Sequence, residues 1–300
     1  MATTEAATGA DLSSVHDPRY VELVRSLCAS LADGELASLP TGDTIVGKAS
    51  YEIATLAADA AVEAARAARL SAPLFAVTRP PGHHAEPARG MGFCVFNNVA
   101  LAAAWGRRHL GPVLIADFDY HHGNGTQAWV ERELEQPGAP LGFISTHAYP
   151  AYPGTGAFRE TRFADNGCIV DIPLPLSTAT DDFIAVWSAL LPVLAARIEP
   201  KLILVSAGFD MLAGDPIAGL PVGVSGVTAL CGLLARASAT HAAPLALVLE
   251  GGYSLENMRA SGRSVAAAFA RDDACADVPP AGRPADAGLA RMVSEIMGIA

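Results

Sequence analysis

The chain is 300 residues long, 51% hydrophobic and 17% charged, with a net charge of −11. Such a composition fills the core of one large α/β domain and excludes a largely disordered chain. Without a concentrated run of Lys and Arg it excludes sequence-independent nucleic-acid binding, and no apolar stretch reaches the roughly 18 residues of a membrane helix.

From the start, MATTEAATGAD lacks the basic opening and apolar block of a secretory signal, and residues 1–13 read as flexible. Helices are predicted over Ser50–Leu70, Asn98–His109, Thr126–Leu134, Thr180–Ile198, Ser225–Ala239 and Leu255–Ala270, with Ser50 and Thr180 as N-caps and Gly111 as a C-cap. Apolar runs predict strands over Leu74–Thr78, Pro112–Ala116, Leu141–Thr146, Leu202–Ser206 and Leu245–Leu249. Arg271–Ala287, rich in Pro, Ala and Asp, reads as a linker to a short helix near Leu289–Met297. The alternation implies a mostly parallel sheet with helices on both faces, in a single domain over residues 1–300. Five scattered cysteines (Cys28, Cys94, Cys168, Cys231, Cys275), with no CxxC pair, fit reduced thiols in a cytoplasmic enzyme rather than a disulfide frame. The acidic balance is ordinary solubility charge, with a cationic substrate as the functional alternative.

Each strand runs into a polar or glycine-rich loop: RPPGHH, DFDYHHGNG, HAYPAYPGTG, AGFDMLAGDP and EGGY in turn. In a parallel sheet these C-terminal tips share one edge, where open α/β sheets bind ligands. If the chain stays extended past Ala116, then Asp117, Asp119 and His121 face one way, and Phe118 and Tyr120 the other. Two carboxylates and an imidazole converging there call for a cation between them. Asp210, from another tip, joins Asp119 and His121 as a third ligand. Three ligands leave a coordination position for water and substrate, as in catalytic zinc sites, with Fe²⁺ or Co²⁺ left open; the alternative is a set of solvated strand-end polar residues. His83 and His84, stiffened by Pro80 and Pro81, suit proton transfer, with Asp117 and Asn124 as orienting partners; an exposed loop pair is the plainer reading. Gly251-Gly252-Tyr253 lets the backbone approach closely and presents a phenol to a developing oxyanion. Gly92-Phe93 and Tyr152 flank a narrow slot or are ordinary core aromatics. Cys94 reads as a small buried hydrophobe, and no GxSxG, GxGxxG or P-loop pattern occurs.

Taken in order, RPPGHH, GFCVFNN, DFDYHHGNGTQ, STHAYPAYPGTG, SAGFD…GDP and EGGY resemble the zinc-dependent histone deacetylase superfamily, over roughly His16 to Arg271. The Asn in HHGNGTQ is similar to the class II and bacterial branch, which includes acetylpolyamine amidohydrolases. The resemblance implies an arginase-like three-layer α/β fold with an eight-stranded parallel sheet. It also implies one Zn²⁺ held by Asp119, His121 and Asp210. His84 would be general base and then acid, and His83, paired with Asp117, would assist electrostatically. Tyr253 would stabilise the oxyanion; Gly92, Phe93, Tyr152, Gly251 and Gly252 would line the acyl-lysine-type channel, with Asp43 at its rim. Asp117 and Ser145 match positions that help hold a structural K⁺. Asn124, where class I enzymes carry Asp, would orient His84 through an amide. Relative to the family the start is shortened, from which we expect a wider pocket mouth and sheet surface covered in a homo-oligomer. The implied function is removal of an acyl group, such as acetyl, from acyl-lysine or an acylpolyamine. Two alternatives stand beside it: a zinc-bound module that recognises acyl amines without turnover, and an arginase-type ureohydrolase. The second needs two metals and further carboxylates, where this chain has Met211 and Leu212 after Asp210.

Overall fold

The computed structural model describes residues 10–270 and 282–300. At its centre is a seven-stranded sheet built from β3 (Leu74–Ala76), β4 (Val113–Asp117), β5 (Leu141–Ala148), β6 (Arg162–Ala164), β7 (Gly167–Leu174), β8 (Leu202–Ala207) and β9 (Leu245–Leu249). The strand order is β3-β9-β8-β4-β5-β7-β6, parallel throughout except for β6, which runs antiparallel to β7. β1 (Leu36–Ser38) and β2 (Ile45–Gly47) form a separate antiparallel hairpin. Seven strands, not eight, make up the main sheet among the described residues.

Both faces are covered, which is why the central strands read as unbroken apolar runs. Leu114, Ala116, Ile203, Val205 and Leu247 face one core with α5 (Thr180–Ile198), α6 (Val224–His241), α7 (Leu255–Phe269) and α8 (Ala287–Ile299). Their neighbours Val113, Ile115, Leu202, Leu204 and Val248 face a second core with α1 (Pro18–Ser30), α2 (Ser50–Ala67), α3 (Asn98–His109) and α4 (Asn124–Leu134). Alanines carry the α2 contact (Ala54, Ala58, Ala61 and Ala65 are buried), so its backbone lies close to α3 at little side-chain entropy cost.

Several boundaries differ from expectation. Ser50 and Thr180 open their helices but do not cap them: Ala49 and Ala179 occupy the cap positions, without a side-chain hydrogen bond. Ser50 Oγ and Thr180 Oγ1 instead accept from the N–H groups of Gly47 and Gly223, tying each helix to a neighbouring loop. Gly111 lies just past the α3 cap Leu110, at φ +119°. The unexpected α1 had a visible signal, an Asp17 cap followed by Pro18 in the first turn. β7 escaped because Asp171 and Pro173 break its apolar run. Residues 1–9 and 271–281, within the segments read as flexible and as linker, lie outside the description, as does Cys275; α8 starts at Ala287, the last residue assigned to the linker. Cys28, Cys94, Cys168 and Cys231 are buried thiols. No helix among the described residues is long and apolar enough to cross a membrane.

His16 ties the N-terminal segment to the loops of the sheet edge. Its Nδ1–H donates to the Glu86 carbonyl (3.1 Å), and its Nε2 accepts from the Asn97 N–H (2.9 Å). Asn97 in turn caps α3 and donates to the Ala85 carbonyl. This bonding pattern needs a neutral ring, and burial pushes the His16 imidazole from its ordinary 6.5 down to about 4. The unfolded chain therefore binds a proton between pH 6.5 and 4 that the native state refuses, so folding stability falls as pH drops through that window. For one such group the loss approaches on the order of 3 kcal/mol. His16→Gln, which keeps a donor and an acceptor but does not titrate there, should flatten melting temperature against pH between 4 and 6.5. Parallel curves for the two proteins would contradict this.

Candidate active site

Carboxylates fold the tip of β4. After Asp117 the chain leaves the strand: the Asp119 N–H donates to Asp117 Oδ1 (3.1 Å), and the His121 N–H donates to Asp119 Oδ1 (2.8 Å). These are Asx-type turns, in which a side chain replaces a backbone acceptor. Because the strand has ended, alternation no longer decides orientation. Phe118 enters the core as expected, but Tyr120, expected to turn away with it, lines the cavity beside Asp119 and His121. The tips of β8 and β9 close in from the side. A Cβ at Gly208 would strike Asp119 Oδ2, and one at Gly251 would strike Asp210 Oδ2. Only glycine permits that approach.

The outcome is an Asp119–His121–Asp210 cluster, both carboxylates buried and the imidazole partly exposed to the cavity, whose candidate ligand atoms all lie within 4.8 Å of one another. His121 Nδ1 is 3.1 Å from both Asp119 Oδ1 and Asp210 Oδ2. Backbone N–H groups hold the outer oxygens: Gly251 donates to Asp119 Oδ2 (2.9 Å) and Tyr120 to Asp210 Oδ1 (3.1 Å). Asp210 Oδ2 is buried, and although the His121 ring lies 3.1 Å away no hydrogen bond of good geometry reaches it; a cation between ring and carboxylate would satisfy both. Two carboxylate donors and one imidazole suit a zinc-like divalent ion. The crowding of charge shifts each proton affinity. Burial and the Asp119 charge push Asp210 up to about 6. Burial opposes the charged form of Asp119 too, but His83 and His121 hold it below the usual carboxylate range. Burial would lower His121, yet the two carboxylates lift it to about 10.

His83 and His84 stand beside this cluster, ring centroids 4.1 Å apart. His83 Nδ1 is 3.1 Å from Asp117 Oδ2 and His84 Nδ1 is 2.7 Å from Asn124 Oδ1. The Asn124 amide nitrogen donates to Glu86 Oε1, leaving its oxygen to accept from His84. His84 therefore carries its hydrogen on Nδ1 and a lone pair on Nε2. Burial, then the nearby His83, keep His84 well below its ordinary value and so neutral. Burial also works against a charged His83, but Asp119 and Asp117 outweigh it and raise that ring to about 10. One imidazole is a cation and the other a free base.

A cavity of about 400 Å³ opens onto these groups. Gly92, Phe93, Tyr152, Gly251, Tyr253 and Asp43 line it, as expected. Gly92 (φ +56°) passes so close to the His84 ring that a Cβ would collide with it. Phe93, 52% exposed, sits at φ +67°, a conformation rarely adopted by a bulky side chain. The Tyr152 ring stands edge-on to His84 at 5.2 Å, and its hydroxyl donates to Asp43 Oδ2 (2.6 Å) at the rim. Gly252 lies outside the lining; its φ of +134° turns the chain toward Tyr253. Asp117 and Ser145 are register partners on β4 and β5, outside the lining. Burial, then the charges of Asp119 and Asp210, hold the Tyr253 phenol protonated, well above its ordinary range.

Four positions beyond the expected set matter: Tyr120 and Ile217 in the lining, and Asp215 and Glu250 behind it. Asp215 accepts from the N–H groups of Tyr253 (2.7 Å) and Ser254 (3.1 Å), Glu250 from those of Gly82 (2.6 Å) and His83 (3.1 Å). Both acids sit inside recognised motifs, GDP and EGGY, but their partners are distant backbone groups that spacing does not reveal. A second buried group, His122, His147 and Asp171, also has ligand-type atoms within 4.8 Å. There the ring nitrogens are already engaged, by Thr155, Gln127 and Asp171 for His122, and by Ser145 and the Gly156 carbonyl for His147.

Known proteins resemble this chain in sequence and in fold. The Arabidopsis thaliana protein "Histone deacetylase 14, chloroplastic" is 34% identical over 273 residues, covering 87% of this chain and 63% of that protein. The Pseudomonas aeruginosa histone deacetylase-like amidohydrolase is 36% identical over 258 residues, 83% of this chain and 64% of its own. The chain thus spans a little under two thirds of these relatives. The crystal structure of the HDA15 HD domain superposes with a TM-score of 0.81 at 29% identity, covering 99% of this chain and 80% of that one. The histone deacetylase domain is matched by residues 1–269, nearly the whole described body, and with it the chain belongs to the histone deacetylase family.

Proposed function

We propose that this protein is a metal-dependent amidohydrolase that removes an acyl group, acetyl above all, from an amine of the acyl-lysine or acylpolyamine type. One observation carries the reading: an Asp–His–Asp cluster with both carboxylates buried faces the same cavity as an imidazole held neutral with its Nε2 free. Asp119, His121 and Asp210 would hold one divalent ion, zinc in this family with Fe²⁺ or Co²⁺ also compatible. Bound there, that ion would lower the pKa of a water to about 7 and polarise the substrate carbonyl.

The chain's own groups supply the rest. His84 takes a proton from the attacking water at Nε2 while Asn124 fixes its Nδ1–H, and later delivers that proton to the departing amine. The C–N bond breaks as the amine is protonated, and the water oxygen stays with the acyl group as a carboxylate. His83, a cation against Asp117, offsets the negative charge that builds on the carbonyl oxygen. Tyr253, protonated, donates its O–H to that oxyanion. Gly92, Phe93 and Tyr152 grip an aliphatic stem, and Asp43 sets the Tyr152 hydroxyl at the rim. Asp117 and Ser145 are candidates to hold a structural K⁺ behind the histidines.

Purified protein should carry one divalent ion per chain by elemental analysis, and chelation should abolish deacylation of an acetyl-lysine peptide until zinc is restored. Asp210→Ala should bind no ion. A stoichiometry near two would point to ureohydrolase chemistry, and tight substrate binding without product to a recognition module. Tyr253→Phe should lower kcat on the order of 10²-fold or more, with KM little changed. Turnover near that of the parent would remove Tyr253 from the oxyanion role.

A further inference from the structure

The two histidines ride on a segment with no sheet or helix of its own. Residues 79–85 run past the end of β3 without a strand partner, yet His83 and His84 must keep both rings in place. Side-chain contacts to Asp117 and Asn124 orient the rings; the backbone beneath them needs its own anchors.

It has two. On one side, the His83 carbonyl accepts from the N–H groups of Gly125 (3.0 Å) and Thr126 (3.1 Å), in the first turn of α4. On the other, Glu250 Oε2 accepts from the consecutive N–H groups of Gly82 (2.6 Å) and His83 (3.1 Å). The second anchor is a side chain 168 residues away in sequence. Glu250 is itself fixed: it follows β9 directly, is 5% exposed, its N–H donates to the Ala207 carbonyl, and its Oε1 takes a contact from Ser206 Oγ at 3.3 Å. Gly82 leaves no slack, because a Cβ there would strike the Asn98 N–H and the Phe96 carbonyl. The carboxylate thus bridges the tips of β8 and β9 to the histidine segment, immediately before the glycines that lead to Tyr253.

We propose that Glu250 is a positioning residue, whose carboxylate, by accepting the Gly82 and His83 N–H groups, sets the height and orientation of the His83–His84 pair over the cavity. Its effect on turnover rests on the amidohydrolase reading above; its effect on the segment does not. A displacement of about 1 Å in a proton-transfer group costs on the order of 10²-fold in rate.

Three variants of the zinc-loaded full chain separate position from charge. Glu250→Gln keeps an oxygen for both N–H groups and an amide for Ser206. Glu250→Asp keeps the charge but withdraws the acceptor by one methylene. Glu250→Leu removes both. With an acetyl-lysine peptide, Glu250→Asp and Glu250→Leu should lose about 10²-fold in kcat with KM within about threefold and zinc still bound, whereas Glu250→Gln should stay within about fivefold of the parent. Amide hydrogen exchange over residues 79–85 should accelerate at least about tenfold in the first two and not in the third. If Glu250→Leu does not fold, the Asp and Gln variants decide alone. A Gln variant as impaired as the Asp variant, or unchanged exchange in the Asp variant, would overturn the assignment. A parent protein inactive on every acyl amine would refute the function, while the exchange result still judges Glu250.

Discussion

Four carboxylates, Asp117, Asp119, Asp210 and Glu250, are buried at one edge of the sheet, none more than 5% exposed. A single ionised carboxylate removed from water without compensation costs several kcal/mol. Everything else at this edge can be understood as compensation. Backbone N–H groups of Asp119, Tyr120, His121, Gly251, Gly82 and His83 are all spent on these acids. The His83 imidazole adds positive charge, and the His121 ring stands 3.1 Å from oxygens of both Asp119 and Asp210. The balance is weakest at Asp210 Oδ2, which has the His121 ring at 3.1 Å but no well-aligned hydrogen bond. A fold that concentrates this much negative charge and leaves one oxygen poorly satisfied is preorganised for a cation.

The same economy explains what could be read from sequence. Strand Leu245–Leu249 and helices Asn98–His109 and Thr180–Ile198 have the expected bounds because a periodic apolar pattern is a local signal. Convergence of Asp119, His121 and Asp210 was also legible, since parallel strands put their C-terminal tips together whatever the loop details. Three features were not. Tyr120 lines the cavity because side-chain acceptors turn the chain directly after Asp117, where strict alternation would keep it extended to His121. β7 was hidden by Asp171, a polar residue buried against His122. Glu250 and His16 bond to backbone groups tens to hundreds of residues away, and a backbone N–H leaves no mark in a sequence.

His122 connects the two halves of the site. It is the neighbour of His121, and its ring reaches Thr155 through one nitrogen and Gln127 and Asp171 through the other. Thr155 and Gly156 belong to the loop that carries Tyr152, and Gly156 is fastened to His147, whose ring lies 4.6 Å from that of His122. The ion-binding corner and the channel wall therefore share one buried polar scaffold. That scaffold ties Ala151 and Tyr152 to the His121 corner, so a backbone shift at this wall would be felt there. Ile217, 56% exposed on a separate loop, lies outside that scaffold: its backbone N–H is held by Asp215, and its side chain is a part of the cavity wall that can change size without moving His121.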